Sequence, residues 1–269
     1  MELEGKTLLL SGATGGIGRA IAEELAAAGA ALVLSSRREP ELEELAARLP
    51  GGSRRHRVIV SDLATPGAVE KLIEDAGDLD GLVANAALPA SGRLEDLSSR
   101  DLGRALQVNF EAPIRMAHEL APKLVAKGEG QLVFIGSTAG IGPSPRSSLY
   151  SATKYGLRGF AFSLRQDLLP RGVGVSVVSP GFVREAGMFA DSGAARPPLI
   201  GTTTPKKVGK AVARAIRRNS SEITVAPFRQ IRLVKFAGRH PELAGWLGRR
   251  TGLSDKVAAE VTSGQTDKR

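Results

Sequence analysis

Tyr150 and Lys154 stand four residues apart in Tyr150-Ser151-Ala152-Thr153-Lys154. The stretch 147–169 around them reads as a helix, on which positions four apart share a face. A phenol is a poor proton donor and acceptor near neutrality unless its pKa is lowered. A nearby ammonium favours the phenolate and lowers it. Ser137 lies thirteen residues upstream, after an apolar run. At the carboxyl end of a strand it would face the ligand side of an open α/β sheet, orient a carbonyl oxygen and stabilise alkoxide charge. The chemistry open to such a set is proton exchange with an oxygen whose carbon is being reduced or oxidised. In isolation the Tyr–Lys pair reads as a surface contact. Ser137 and a glycine-rich turn near the amino terminus weigh against that.

The turn is Ser11-Gly12-Ala13-Thr14-Gly15-Gly16-Ile17-Gly18, between the apolar run Thr7–Leu10 and a helical stretch. Glycines let the chain turn tightly and bring backbone N–H groups against a pyrophosphate at a helix amino terminus. The strand before and the helix after give the match its weight. The second apolar run ends Leu34-Ser35-Ser36-Arg37-Arg38. A site for NAD would carry an acid there for the adenosine ribose; Arg37 instead offers a fork of donors suited to a 2′-phosphate. The pattern favours NADP(H), with Arg37 as the contact and Arg38 opening a solvated turn.

The elements that would position these groups follow from patterning. Apolar runs at Thr7–Leu10, Ala31–Leu34, Val58–Val60, Gly81–Ala84, Leu132–Ile135 and Val173–Val178 largely lack polar alternation, as strands buried on both faces do. Helical stretches alternate with them: Ile17–Ala28, Pro40–Leu49, Pro66–Ala76 with Thr65 as its cap, 98–127 and 147–169. The expected fold is α/β, a single Rossmann-type doubly wound parallel sheet with helices on both faces. Residues 1–227 form the dinucleotide-binding and catalytic domain, closing with a helix at Lys206–Arg218 and a strand at Glu222–Ala226. Within it, 180–204 is rich in Gly, Pro, Ala and Thr and reads as a substrate lid. Residues 228–269 form an extension with a disordered tail.

The 269 residues contain no cysteine and three scattered histidines, which excludes thiol chemistry, disulfides and Cys-ligated metal and leaves no basis for a metal site. No apolar run approaches a membrane span, and the amino terminus lacks a signal-peptide core. These features predict a soluble cytoplasmic protein, at most peripheral to a membrane.

With these motifs in order, the chain resembles the classical short-chain dehydrogenase/reductase family from about Lys6 to Ala226. Gly12, Thr14, Gly16, Ile17 and Gly18 are similar to its cofactor turn. Asp62 with Leu63 resembles its adenine contact, and Asn85-Ala86-Ala87 its Asn-Ala-Gly. Asn109, Ser137, Tyr150 and Lys154 resemble its catalytic set, with Asn109 holding a water in a proton relay to Lys154. The resemblance also implies that Lys154 bonds the nicotinamide ribose, and that Pro180 and Gly181 follow the sixth strand beside the cofactor. The family's Thr after Pro-Gly-x-Val is replaced by Glu185, which leaves the backbone of Val183 for the nicotinamide amide. The resemblance further implies a homodimer or homotetramer through the helices at 98–127 and 147–169. The implied activity interconverts a ketone and a secondary alcohol; the Tyr-xxx-Lys spacing argues against an enoyl reductase.

Substrate signals are weaker. Ile141, Met188, Phe189, Leu199 and Ile200 either wall an apolar pocket or merely pack their loops. Net charge is −1 over 1–204 but +10 over 205–250. On a helical wheel Arg229, Arg232, Lys235 and Arg239 share one arc, with Ile231, Leu233, Val234 and Ala237 opposite. With Trp246, Arg249 and Arg250 behind it, 229–250 reads as an interfacial segment for an anionic membrane and a lipid-like substrate, or as a helix packed on its own domain or a second subunit. No motif points to nucleic acid. The alternatives are a soluble ketoreductase of small or cyclic metabolites and a non-catalytic NADP(H) sensor.

Overall fold

In the computed structural model, which describes residues 1–193, 200–251, 258–260 and 262, seven short segments pair as one sheet. They are β1 (Thr7–Ser11), β2 (Ala31–Ser36), β3 (Arg57–Val60), β4 (Gly81–Ala84), β5 (Gly130–Ile135), β6 (Val173–Pro180) and β7 (Glu222–Val225). Every pairing is parallel, in the order β3-β2-β1-β4-β5-β6-β7. β4, β5 and β6 are buried along their whole length. That is why they read as unbroken apolar runs rather than alternating ones.

The helices are α1 (Gly16–Ala27), α2 (Glu39–Arg48), α3 (Gly52–Arg55), α4 (Ala68–Ala76), α5 (Ser99–Leu106), α6 (Ala112–Lys127), α7 (Ser148–Leu168), α8 (Met188–Asp191), α9 (Pro205–Arg218), α10 (Phe228–Arg239) and α11 (Pro241–Thr251). One face of the sheet is covered by α1, α2 and α9 through Ile21, Leu25, Leu42, Val212 and Ile216. The other is covered by α4, α6 and α7 through Leu72, Met116, Leu120 and Leu157. This is the doubly wound arrangement the alternation predicts. The strand order reverses between β1 and β4, so a crevice opens at their carboxyl ends.

Two helix boundaries depart from expectation. Thr65 does not cap α4: Gly67 takes a left-handed φ of +76° and starts the helix at Ala68, while the Thr65 carbonyl accepts the Ala68 amide. The stretch 98–127 is not one helix either. Ser98 and Asp101 close a reciprocal capping box on α5, and Gln107–Glu111 then widens to a π turn before α6 begins. Pro113, near the start of α6, lacks the amide that an unbroken helix would use.

After β6 the chain is bridged back through Val183 and Thr203. Leu199 and the tail 263–269 lie outside the described residues. From β7, Ala226-Pro227 leads directly into α10, which lies on the loop after β5. A Cβ on Gly142 would overlap the Val234 carbonyl, and one on Gly238 the Ile141 carbonyl.

Candidate active site

The crevice begins at the glycine turn. Gly12 has φ +64°, and a Cβ there would sit 2.7 Å from Ala86 Cα. A Cβ on Gly18 would overlap the Gly12 carbonyl. The turn is thus compressed between β4 and α1, and only glycine fits either position. α1 starts at Gly16 with no side-chain cap and no acid in its first turn, which leaves its leading N–H groups for an anion. Asn85 Nδ2 ties the turn to β4, donating to the carbonyls of Ser11 (3.2 Å) and Gly12 (3.0 Å).

Thr14 Oγ1 donates to Ser36 Oγ at 3.1 Å and accepts from Arg38 Nη2 at 2.9 Å. Arg38 Nε also meets Glu41 at 3.1 Å. Arg38 therefore does not open a free solvated turn; the Thr14 hydroxyl beside it binds its guanidinium to the glycine turn. Arg37 is exposed on the same rim and makes no hydrogen bond among the described residues. Asp62 Oδ1 accepts the Ala64 amide at 3.1 Å, and Leu63 is buried behind it. These residues line a cleft of about 640 Å³, which Gly187 and Met188 border from the segment after β6. That volume lies within the range of small-ligand and cofactor sites.

Ser137 stands just past the end of β5, its Oγ accepting the Ala139 amide at 3.1 Å. Lys154 is 3% exposed. Its ammonium donates to the Ile135 carbonyl at 2.9 Å and lies 5.8 Å from the Tyr150 ring centroid. Burial lowers the Lys154 ammonium to about 8. Burial pushes the Tyr150 phenol upward, while a hydrogen bond with Ser137 pulls it down. The phenol is therefore raised rather than lowered as expected, because enclosure outweighs the bond with Ser137.

Asn109 is buried in the π turn with its side chain clamped on Leu88. Its Oδ1 accepts the Leu88 amide at 2.6 Å, and its Nδ2 donates to the Leu88 carbonyl at 2.9 Å. In α register its backbone carbonyl would meet the amide of residue 113, which is proline and has none.

Past Pro180, the Gly181 amide donates to Val225 at 3.1 Å. The Val183–Thr203 bridge uses the carbonyl of Phe182 and the amide of Arg184, not the amide or carbonyl of Val183 itself. Glu185 pairs with Arg184 at 2.7 Å. Gln230 was missed by sequence reasoning. It comes from α10, is 2% exposed, has an unpartnered Oε1, and packs so closely on Gly181 that a Cβ there would overlap its amide. A single amide in a basic helix carries no sequence signal for this. Among the described residues no cluster of His, Asp or Glu could hold a metal.

Known proteins with similar sequence or fold point one way. Residues 6–197 match the family described as short chain dehydrogenase. The chain is 33% identical over 227 residues to a ketoacyl reductase of Nostoc, HetN, covering 83% of this chain and 79% of that protein. It superposes with a TM-score of 0.75 on the NADP-bound 3-oxoacyl-(acyl-carrier-protein) reductase of Agrobacterium tumefaciens, at 28% identity, covering 83% and 93% of the two chains. The short-chain dehydrogenase of Sphingobium yanoikuyae with NADPH gives the same TM-score of 0.75 at 28% identity, covering 94% and 96%.

Proposed function

The chain belongs to the short-chain dehydrogenase family, oxidoreductases of carbonyl and alcohol groups, and from that membership we propose that it interconverts a ketone and a secondary alcohol with NADP(H). The observation that carries the reading is the buried Lys154 ammonium beside Tyr150 and Ser137. A charge held inside at a cost in stability marks a working site.

The glycine cradle fits a dinucleotide, since a Cβ at Gly12 or Gly18 would fill it. In this reading the turn and the α1 amino terminus hold the pyrophosphate, Arg37 the 2′-phosphate, and Asp62 and Leu63 the adenine. Asn85 braces the turn. Pro180, Gly181 and the free backbone groups of Val183 border the nicotinamide. When bound, NADP(H) exchanges hydride with the carbonyl carbon.

The remaining work belongs to side chains. Ser137 donates to the substrate oxygen and orients it. Tyr150 gives its proton to that oxygen as negative charge develops, and takes it back in the oxidising direction. Lys154 stabilises the phenolate and holds the nicotinamide ribose. The Asn109 carbonyl, which the amide-less Pro113 cannot occupy, holds a water that passes protons towards Lys154.

The substrate is read as a ketoacyl or similarly apolar chain. Two of the similar proteins are named for ketoacyl or 3-oxoacyl reduction. Phe182 and Phe189, with ring centroids 4.8 Å apart, and Met188 supply apolar surface near the cleft. The same reading includes a homodimer or homotetramer built on α5, α6 and α7.

The test is a fluorescence titration with NADPH and with NADH, followed by turnover of β-ketoacyl thioesters and simple ketones. Tight NADPH binding and turnover, with Tyr150→Phe retaining binding but losing turnover, is the expected result. Tight binding with no turnover of any carbonyl substrate would leave a cofactor sensor and overturn the reading.

A further inference from the structure

The carboxyl-terminal helical pair carries a surface that the reaction does not use. Six of the eleven large apolar side chains exposed among the described residues lie on it: Phe228, Leu233, Phe236, Leu243, Trp246 and Leu247. Phe228 is 71% exposed and Trp246 49%. Between Phe228 and Thr251 there are six Lys or Arg and one acid, Glu242. None of the six cations forms an ion pair among the described residues.

α10 has two distinct faces. Its inner face meets the reaction site: Gln230 reaches Gly181, and Val234 and Gly238 pack on the loop that follows Ser137. Its outer face is mixed. At ~100° per residue, Arg229, Arg232, Lys235 and Arg239 are interleaved with Phe228, Phe236 and Leu233 over an arc of roughly 160°. Leu233 thus does not sit opposite the cations as expected; the helical spacing itself places it about 40° from Arg229, and it is half exposed. Arg232 lies 5.7 Å from the Phe228 ring centroid, and on α11 Arg250 lies 5.3 Å from that of Trp246.

The occupant of this face must accept both properties. A second copy meeting the same face across a two-fold axis would set like charges against each other. A nucleic acid would use the cations but not Leu233, Leu243 and Leu247. An anionic bilayer uses both, because phosphates take the guanidinium groups while Trp, Phe and Leu enter the headgroup boundary. No helix among the described residues is long and apolar enough to cross a membrane, so such attachment is peripheral.

We propose that α10 and α11 dock this protein on an anionic lipid surface, with the loop after Ser137 turned towards the bilayer so that substrate enters from the lipid phase. The docking rests on the surface alone; only the source of substrate rests on the carbonyl-reductase reading.

Trp246 is the single tryptophan and reports directly. The full chain is mixed with vesicles of phosphatidylcholine alone, and of phosphatidylcholine with phosphatidylglycerol, at low and high salt. Binding is read by flotation and by Trp246 emission, with brominated lipid as quencher. The expected result is a blue shift, quenching and flotation with anionic vesicles only, weakened by salt. Charge reversal at Arg229, Arg232 and Lys235 together lowers the bound fraction about tenfold, as does Phe228→Ser with Phe236→Ser. NADPH turnover of a water-soluble ketone by each variant shows that it is folded. Unchanged emission with all vesicles, while turnover is intact, overturns the docking and leaves the enzyme reading untouched. So does a blue shift that depends on protein concentration without lipid, which assigns the face to a second copy. Equal binding to both vesicle types overturns the anionic requirement.

Discussion

The Lys154 ammonium donates to the Ile135 carbonyl at 2.9 Å and lies 5.8 Å from the centre of the Tyr150 ring. Burial there lowers the ammonium pKa from 10.5 to about 8. A fall of that size corresponds to ~3 kcal/mol of stability withheld while the group is charged. Below about pH 8 the whole cost is present. Between about 8 and 10.5 the unfolded chain binds more protons than the folded one, so stability rises with pH. Tyr150, pushed above its ordinary 10, begins to act in the opposite sense only beyond that value. Lys154→Met also loses the bond to Ile135, worth ~1 kcal/mol. The variant should therefore be more stable than the parent by ~2 kcal/mol at pH 7, with turnover abolished. Its advantage should shrink as pH approaches 10. Urea unfolding at the two pH values measures this, and an advantage independent of pH contradicts the buried-charge account.

Arg37 and Arg38 are adjacent but do different work. Arg38 is committed to Thr14 and Glu41, while Arg37 is exposed and unbonded on the cleft rim. Arg37→Ala should weaken NADPH binding by ~10–100-fold, the range of a lost charge-assisted bond, and leave NADH unchanged. Arg38→Ala should weaken both cofactors to a similar degree, because it frees the glycine turn. Parallel titrations of the two variants decide it, and NADPH selectivity that survives Arg37→Ala contradicts the assignment.

The sheet and its helices were legible because strands buried on both faces write themselves as apolar runs, and glycine at 12, 16 and 18 has few other uses before a helix. The grouping of Ser137, Tyr150 and Lys154 was legible because one follows an apolar strand and the other two share a helical face; their chemistry is the proposal above. What the sequence concealed depends on tertiary placement. The Arg38–Thr14 bond joins residues 24 apart. Gln230 matters only because α10 folds back on Gly181. Helical spacing alone puts Leu233 beside the cations; that this side of α10 faces out depends on the other being occupied by the loop at Ile141 and Gly142. The lowering of the Tyr150 phenol failed as an expectation because burial, which spacing does not encode, dominates it.

Gly181 and Gln230 should be energetically coupled. A Cβ at 181 would overlap the Gln230 amide, so Gly181→Ala should cost ~1–3 kcal/mol as an overpacked substitution. Gln230→Ala removes the obstructing amide, and the double variant should recover much of that loss. A double-mutant cycle on unfolding free energy measures the coupling. Additive costs would show that α10 does not press on the end of β6.

Pro113 offers a test of the relay that leaves every catalytic side chain in place. In an α-helix the amide of residue 113 would bond the carbonyl of residue 109, and proline supplies none. The π turn over Gln107–Glu111 keeps the Asn109 side chain clamped on Leu88, and in the proposed relay its backbone carbonyl is the group that holds the water. Pro113→Ala restores an amide within reach of that carbonyl and should draw the turn back towards α geometry. Turnover should then fall about tenfold while NADPH binding is unchanged, since a proton path is lost and no cofactor contact is touched. Thermal stability should hold or rise, because a helical bond is gained. The kinetic signature is a kcat that falls at constant KM and an altered pH profile for kcat. If kcat and its pH profile are unaffected while stability rises, the restored bond has formed without consequence, and the Asn109 carbonyl takes no part in proton transfer.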